Sequence, residues 1–141
     1  MRLSATNVYH KMNTRNTLNM EQMYKLHDLG LAYIAERNHH TDCEYGVEEL
    51  LQILPACIVN NKTLYSLRIY KNAFDVQCVA YKKDNEFLYG VPLDEIKNDE
   101  YPNQIGHLVD ALYYMLLWVN ETYPNELEEF KEKLQHYIQA Q

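Results

Sequence analysis

The chain has 141 residues, 47% of them hydrophobic and 12% aromatic, and carries a formal net charge of −7 with 3 cysteines. A chain of this length suits one domain with its own core, and the apolar fraction excludes a wholly disordered polypeptide. The acidic balance argues against general binding to nucleic-acid phosphates, and three widely spaced cysteines (Cys43, Cys57, Cys78) make a poor disulfide framework and suit a reducing, cytoplasmic compartment.

The charge is uneven. Residues 61–90 carry five bases and three acids, whereas residues 91–141 carry ten acids and three bases. The aromatic set is also lopsided, with 13 tyrosines against 3 phenylalanines and 1 tryptophan. Tyrosine covers a core edge while its hydroxyl stays wet, and it is enriched at interfaces. Residues 1–16 are polar, read as loosely held, and lack the apolar region of a secretory signal.

Residues 20–37 read as a helix. Met20, Met23, Tyr24, His27, Leu31, Ile34 and Ala35 recur at steps of three and four, and Asn19 with Gln22 forms a capping box at the start. Thr41 with Glu44 reads as a second capping box. It opens a short helix through Val47, Leu50, Leu51 and Leu54, closed by Pro55.

From Leu64 to Val91 the period changes to two. Tyr65, Leu67 and Ile69 share one side of a first strand, Phe74, Val76, Cys78 and Ala80 one side of a second, and Phe87, Tyr89 and Val91 one side of a third. Two-residue turns at Asn72-Ala73 and Asp84-Asn85 bring these three sets together, pairing Leu67 with Cys78 and Cys78 with Val91. The result is a three-stranded antiparallel meander with one dry face that needs a cover.

LVDALYYMLLWV (108–119) supplies that cover. It holds a single charge, Asp110, and is apolar nearly all round, with Ile105, Leu108, Leu112, Met115, Leu116 and Val119 forming its main stripe. Spanning a bilayer takes about 20 apolar residues, so a run of this length reads as a buried core helix between the sheet and the 20–37 helix. After Tyr123-Pro124, residues 125–139 read as a last helix, capped by Asn125 with Glu128 and acidic on its outer side.

Chemistry has few places to reside. His39, His40, Asp42 and Cys43 are the densest set of metal-ligand types. Zinc sites, however, use four ligands in paired short spacings, and no second cluster follows, so the simpler reading is a polar loop between helices. Cys43 is the one thiol with a reason for a lowered pKa, but no orienting partner can be named. Gly30, Gly46, Gly90 and Gly106 are isolated, so no phosphate-cradling loop exists. The wet side of the meander is the more promising surface: Arg68 and Tyr70 lie beside Gln77 and Tyr81, rimmed by Lys71, Lys82 and Lys83.

VEELLQILP (47–55), YSLRIYKN (65–72), CVAY (78–81) and DALYYMLLWV (110–119) together resemble a pattern in small proteins of bacteriophages and gut-bacterial mobile elements. Those proteins place an E-E-L-L helix ending in Pro before a Tyr-rich meander, then a D-A-L helix ending in Trp. The resemblance covers roughly 47–119. It implies a cytoplasmic accessory protein and brings no catalytic residues, because that group has no established activity.

The expectation is a single α+β domain over 1–141: N-terminal helices in 17–63, a three-stranded meander in 64–93 packed on one face against two helices, and C-terminal helices in 103–141. The expected role is a non-enzymatic accessory function by protein–protein interaction, through self-association or by inhibiting a partner with the acidic surface. The surface expected to carry it is Arg68, Tyr70, Gln77 and Tyr81 on the sheet with Glu126, Glu128, Glu129 and Glu132 on the last helix. No catalytic residue, cofactor, metal or membrane association is expected. The alternative is single-stranded nucleic-acid binding through the Tyr/Arg face.

Overall fold

The computed structural model describes residues 15–35, 40–41 and 44–140. In chain order the elements are α1 (Met20–Asp28), β1 (Ile34–Ala35), β2 (His40–Thr41), α2 (Val47–Ile53), β3 (Cys57–Asn60), β4 (Thr63–Lys71), β5 (Gln77–Lys83), β6 (Glu86–Pro92), α3 (Leu108–Thr122) and α4 (Glu128–Gln139). The fold is α+β. Its main sheet has four antiparallel strands in the order β3-β4-β5-β6, and β1 and β2 form a separate two-residue ladder. Among the described residues no helix is long and apolar enough to cross a membrane.

The capping box at Asn19 and Gln22 forms, but α1 stops at Asp28 rather than continuing to residue 37. Gly30 takes φ +78, its N–H donates to His27 O, and Leu31 N–H donates to Leu26 O at 2.8 Å. This is a Schellman ending, with Leu31 and Leu26 both fully buried against the turn. The helix before the sheet also differs from expectation. It begins at Gly46, whose N–H donates to Glu49 Oε1 at 2.7 Å, while Thr41 lies in β2.

The sheet gains β3, which pairs with β4 across a two-residue turn at Asn61-Lys62. Both turn residues sit at positive φ, 51° and 67°, as a type I′ hairpin requires.

The β4–β5 hairpin corrects the expected register. Its loop is Ala73-Phe74-Asp75, closed by Asn72 N–H donating to Val76 O at 2.9 Å, with Asp75 at φ 63. Asn72 Oδ1 accepts from the N–H groups of Phe74 and Val76 and holds the turn. Leu67 therefore pairs with Tyr81 and Ile69 with Val79. Because side chains alternate along a strand, this odd shift turns Val79 and Tyr81 to the core and puts Cys78 and Ala80 on the other side. The Asp84-Asn85 turn forms as expected, and Lys82 pairs with Phe87; a bulge then follows, so Tyr81 pairs with Tyr89 and Val79 with Val91. The bulge leaves Phe87 on the outer side and Tyr89 and Val91 on the core side.

α3 is the central core helix. Val109, Ala111, Leu112, Met115, Leu116 and Val119 are 0–1% exposed, and the helix packs on β5 and β6 on one side and on another chiefly on α2, not on the 20–37 helix as expected. Each such side chain contributes about 1.5–3 kcal/mol by leaving water. Ile105 lies before the helix and is half-exposed. The last segment is a 3-10 turn at Pro124–Leu127 followed by α4. Leu127 is fully buried and anchors it, whereas no residue of α4 itself is buried.

Candidate functional site

The register decides what the outer face of the sheet presents. Arg68 and Tyr70 on β4 stand there as expected, the first exposed and the second half-buried. Their neighbours across the ladder are Ala80 and Cys78. Tyr81 is on the opposite side. It is 0% exposed and its hydroxyl donates to Pro55 O at 2.6 Å, which corrects its expected place on the interaction surface. Burial, then the charge of Glu126, drives its phenol pKa far above the usual 10.0. Gln77, opposite Lys71 at the start of β5, shares Tyr81's side and is half-buried. The expected surface thus splits across the two faces of the sheet.

Two other residues complete the outer face. Lys82 Nζ lies 4.4 Å from the ring centroid of Tyr70 and 4.8 Å from that of Phe87, and the two rings stand 6.2 Å apart. This is a cation–π clamp. It borders a hollow of about 390 Å³ lined by Leu64, Ser66, Arg68, Tyr70, Lys82 and Lys83, with Asp84 at its edge. Val59 and Leu64 pair across β3 and β4 on this same side and are 58% and 51% exposed; Phe87 is 51% exposed. The face therefore alternates apolar groups with fixed cations in a protein of net charge −7. Burial raises the Cys78 thiol pKa, as befits an inert packing group, and burial followed by Cys78 raises the Tyr70 phenol.

Glu126, Glu128, Glu129 and Glu132 are all exposed near the start of α4, as expected, with Glu129 paired to Lys133 at 3.2 Å. His39, Asp42 and Cys43 lie outside the described residues, as does the side chain of His40.

A second polar constellation sits at the start of α3. Arg15 donates to both oxygens of Asp110 at 2.6 and 2.7 Å, and Gln22 Nε2 donates to Asp110 Oδ1 at 2.7 Å. His107, 4% exposed, accepts from the Arg15 N–H at Nδ1 and turns Nε2 toward Glu100 Oε1 at 3.1 Å and Asp99 Oδ1 at 3.4 Å. Both contacts are of ion-pair length, but neither is aligned as a hydrogen bond. Asn98 staples the preceding loop. Its amide donates to Ile105 O, and its carbonyl oxygen accepts from the N–H groups of Glu100 and Tyr101. Asp110, the lone charge in the apolar run 108–119, was the sequence signal for this cluster.

Asp99, His107 and Asp110 offer ligand atoms within 4.8 Å of one another. Two features oppose a divalent ion there. Nδ1 is already an acceptor, so the ring proton belongs on Nε2, the nitrogen that faces the carboxylates. The guanidinium of Arg15 also already neutralises Asp110. The cluster is best understood as a structural fastening.

Comparison of the chain with protein-family models, with curated proteins and with solved structures found no match in any of the three.

Proposed function

We propose that the protein is a non-enzymatic, cytoplasmic accessory protein that acts by docking other proteins, and that the outer face of the sheet is its docking surface. The observation that carries this reading is the clamp of Lys82 between Tyr70 and Phe87, flanked by exposed Val59 and Leu64. Apolar side chains held open to solvent beside fixed cations suit a partner segment that is acidic and carries an apolar residue. The resemblance to accessory proteins of phages and mobile elements fits such a role. The exposed glutamates of α4 give a second surface, through which the chain would self-associate or occupy a basic site on a partner.

The nucleic-acid reading rests on the same hollow, where Arg68, Lys82 and Lys83 converge. Against it, Lys82 already covers a ring face of both Tyr70 and Phe87, which base stacking would need.

The test compares capture of partners from the source cell, and mass under native conditions, for the native chain and for Lys82→Glu/Phe87→Ser. The expected result is a partner, or a larger native mass, that the double variant loses while its circular dichroism is kept. A partner retained by that variant but lost in Glu128→Lys/Glu129→Lys/Glu132→Lys moves the docking surface to α4. Binding of an oligothymidylate that weakens steeply with added salt replaces the proposal with the nucleic-acid reading.

A further inference from the structure

A groove runs along the exposed side of α3, on the far side of the sheet from the clamp. Its first part, about 420 Å³, is lined by Tyr89, Tyr114, Trp118, Glu95, Glu121 and Lys97, among others. Its second part, about 460 Å³, shares Lys97, Tyr114 and Leu117 with the first and continues to Glu21 and Asp99. Volumes of this order admit a peptide side chain and its neighbours.

The floor is aromatic. Tyr89 and Trp118 stack with centroids 4.5 Å apart and planes within 5°, and Tyr123 meets the indole edge-on at 5.5 Å. Tyr89 and Tyr114 stay 37% and 45% exposed. The walls are acidic. Asp110 and Asp99 both face Arg15, at 2.6 and 3.6 Å, which leaves three carboxylates, Glu21, Glu95 and Glu121, against one ammonium, Lys97. Among the described residues, Glu21, Glu95 and Glu121 have no basic group within 4.0 Å. The partly exposed rings of Tyr89 and Tyr114, bordered by carboxylates without counter-charges, attract a cation twice, through the ring quadrupoles and through Coulomb attraction.

We propose that this groove docks a basic segment of a protein partner and seats an arginine side chain on its aromatic floor. Arginine fits better than lysine because its planar guanidinium stacks on rings while its edge donors pair with carboxylates. The site is separate from the sheet face, so its occupant differs in charge from the acidic segment proposed there.

Trp118 is the single tryptophan of the chain, so its emission reports on this groove alone. The full chain is titrated with an end-blocked tri-arginine peptide, and parallel titrations use end-blocked tri-glutamate and tetramethylammonium. The expected result is a saturable change in emission with tri-arginine and none with tri-glutamate. Affinity falls about tenfold or more in Glu95→Gln/Glu121→Gln. It is kept in Glu129→Gln/Glu132→Gln, which makes the same charge change on α4. Equal losses in the two double variants would reduce the effect to general acidity and overturn the site. No emission change, or a response to tetramethylammonium as strong as to tri-arginine, would overturn the arginine assignment.

Discussion

The guanidinium of Arg15 grips both carboxylate oxygens of Asp110 at 2.6 and 2.7 Å, across 95 positions of sequence. Asp110 is 4% exposed and lies in the first turn of the helix on which the core is built. The pair therefore ties the residues leading into α1 to α3. Removing one partner leaves a buried charge without its counter-ion. Arg15→Ala and Asp110→Ala are each expected to lower the unfolding free energy by about 3 kcal/mol. The double replacement Arg15→Met/Asp110→Leu is expected to cost clearly less than the two single losses together. Urea denaturation of the four proteins measures the coupling, and additive losses would show that the pair contributes little.

Tyr81 makes stability depend on alkaline pH. Its phenol pKa lies far above 10.0 in the folded chain because burial disfavours the phenolate, whereas in the unfolded chain it titrates near 10. Its contribution is complete below that pH and is lost as pH rises above it, because the unfolded state then gives up the proton first. The native chain is expected to lose stability progressively above pH 10, with a shallower decline in Tyr81→Phe. At neutral pH the same substitution strands Pro55 O and is expected to cost about 1–3 kcal/mol. Denaturant midpoints at pH 7, 9, 10 and 10.5 test both statements; parallel alkaline slopes in the two proteins would contradict the assignment.

Two glycines separate conformational from steric cost. A Cβ on Gly30 would meet nothing closer than Lys131 Cδ at 3.8 Å, so Gly30→Ala carries only the strain of φ +78 and is expected to cost about 1 kcal/mol. A Cβ on Gly106 would lie 2.5 Å from Ile96 Cγ2 and 2.9 Å from Ile96 O. Gly106→Ala is expected to cost about 3 kcal/mol or more, because backbone must move. Pairing Gly106→Ala with Ile96→Ala is expected to recover little of that loss in thermal melts, because Ile96 Cβ at 2.6 Å and O at 2.9 Å remain; full recovery would place the strain on Cγ2 alone.

The cluster around His107 is expected to take no divalent ion. Zinc or manganese at millimolar concentration should leave the melting temperature of the native chain unchanged, since ligation at Nε2 would require the ring proton to move to the nitrogen that accepts from Arg15. A rise in melting temperature that His107→Gln abolishes would reverse this conclusion.

Sequence periodicity was most informative where one environment surrounds a whole element. α3 is apolar on nearly every side because the sheet and α2 both contact it, so its role was legible from composition and length. The capping box at Asn19 was legible because its two hydrogen bonds are local. Periodicity misled where burial outlasts the element. Leu31 and Ile34 are buried, 0% and 5% exposed, yet they follow Gly30 in extended chain, so a helical stripe ran past the helix. Strand β3 was missed although Asn61-Lys62 is a plausible hairpin turn.

The interaction surface was only half legible for a related reason. In QCVAYKK both phases of the alternation hold apolar residues, so pattern alone could not say whether Cys78 and Ala80 or Val79 and Tyr81 face inward. Loop length made that choice. The bulge between Tyr81 and Lys82, which sets Tyr89 and Val91 on the opposite side from Phe87, left no mark in the residue pattern. Arg15 and Asp110 are too distant in sequence for any spacing rule to join them.

The three-residue connection at Ala73-Phe74-Asp75 has an evolutionary corollary. If a residue were added or deleted there and the tip still kept three residues, the ladder would slip by one and exchange the wet and dry flanks of β5, sending Tyr81 into solvent and Lys82 toward the centre. Descent can therefore lengthen the tip but not slide the strands, and its composition is held at Asp75, whose φ of 63 suits Gly, Asn or Asp.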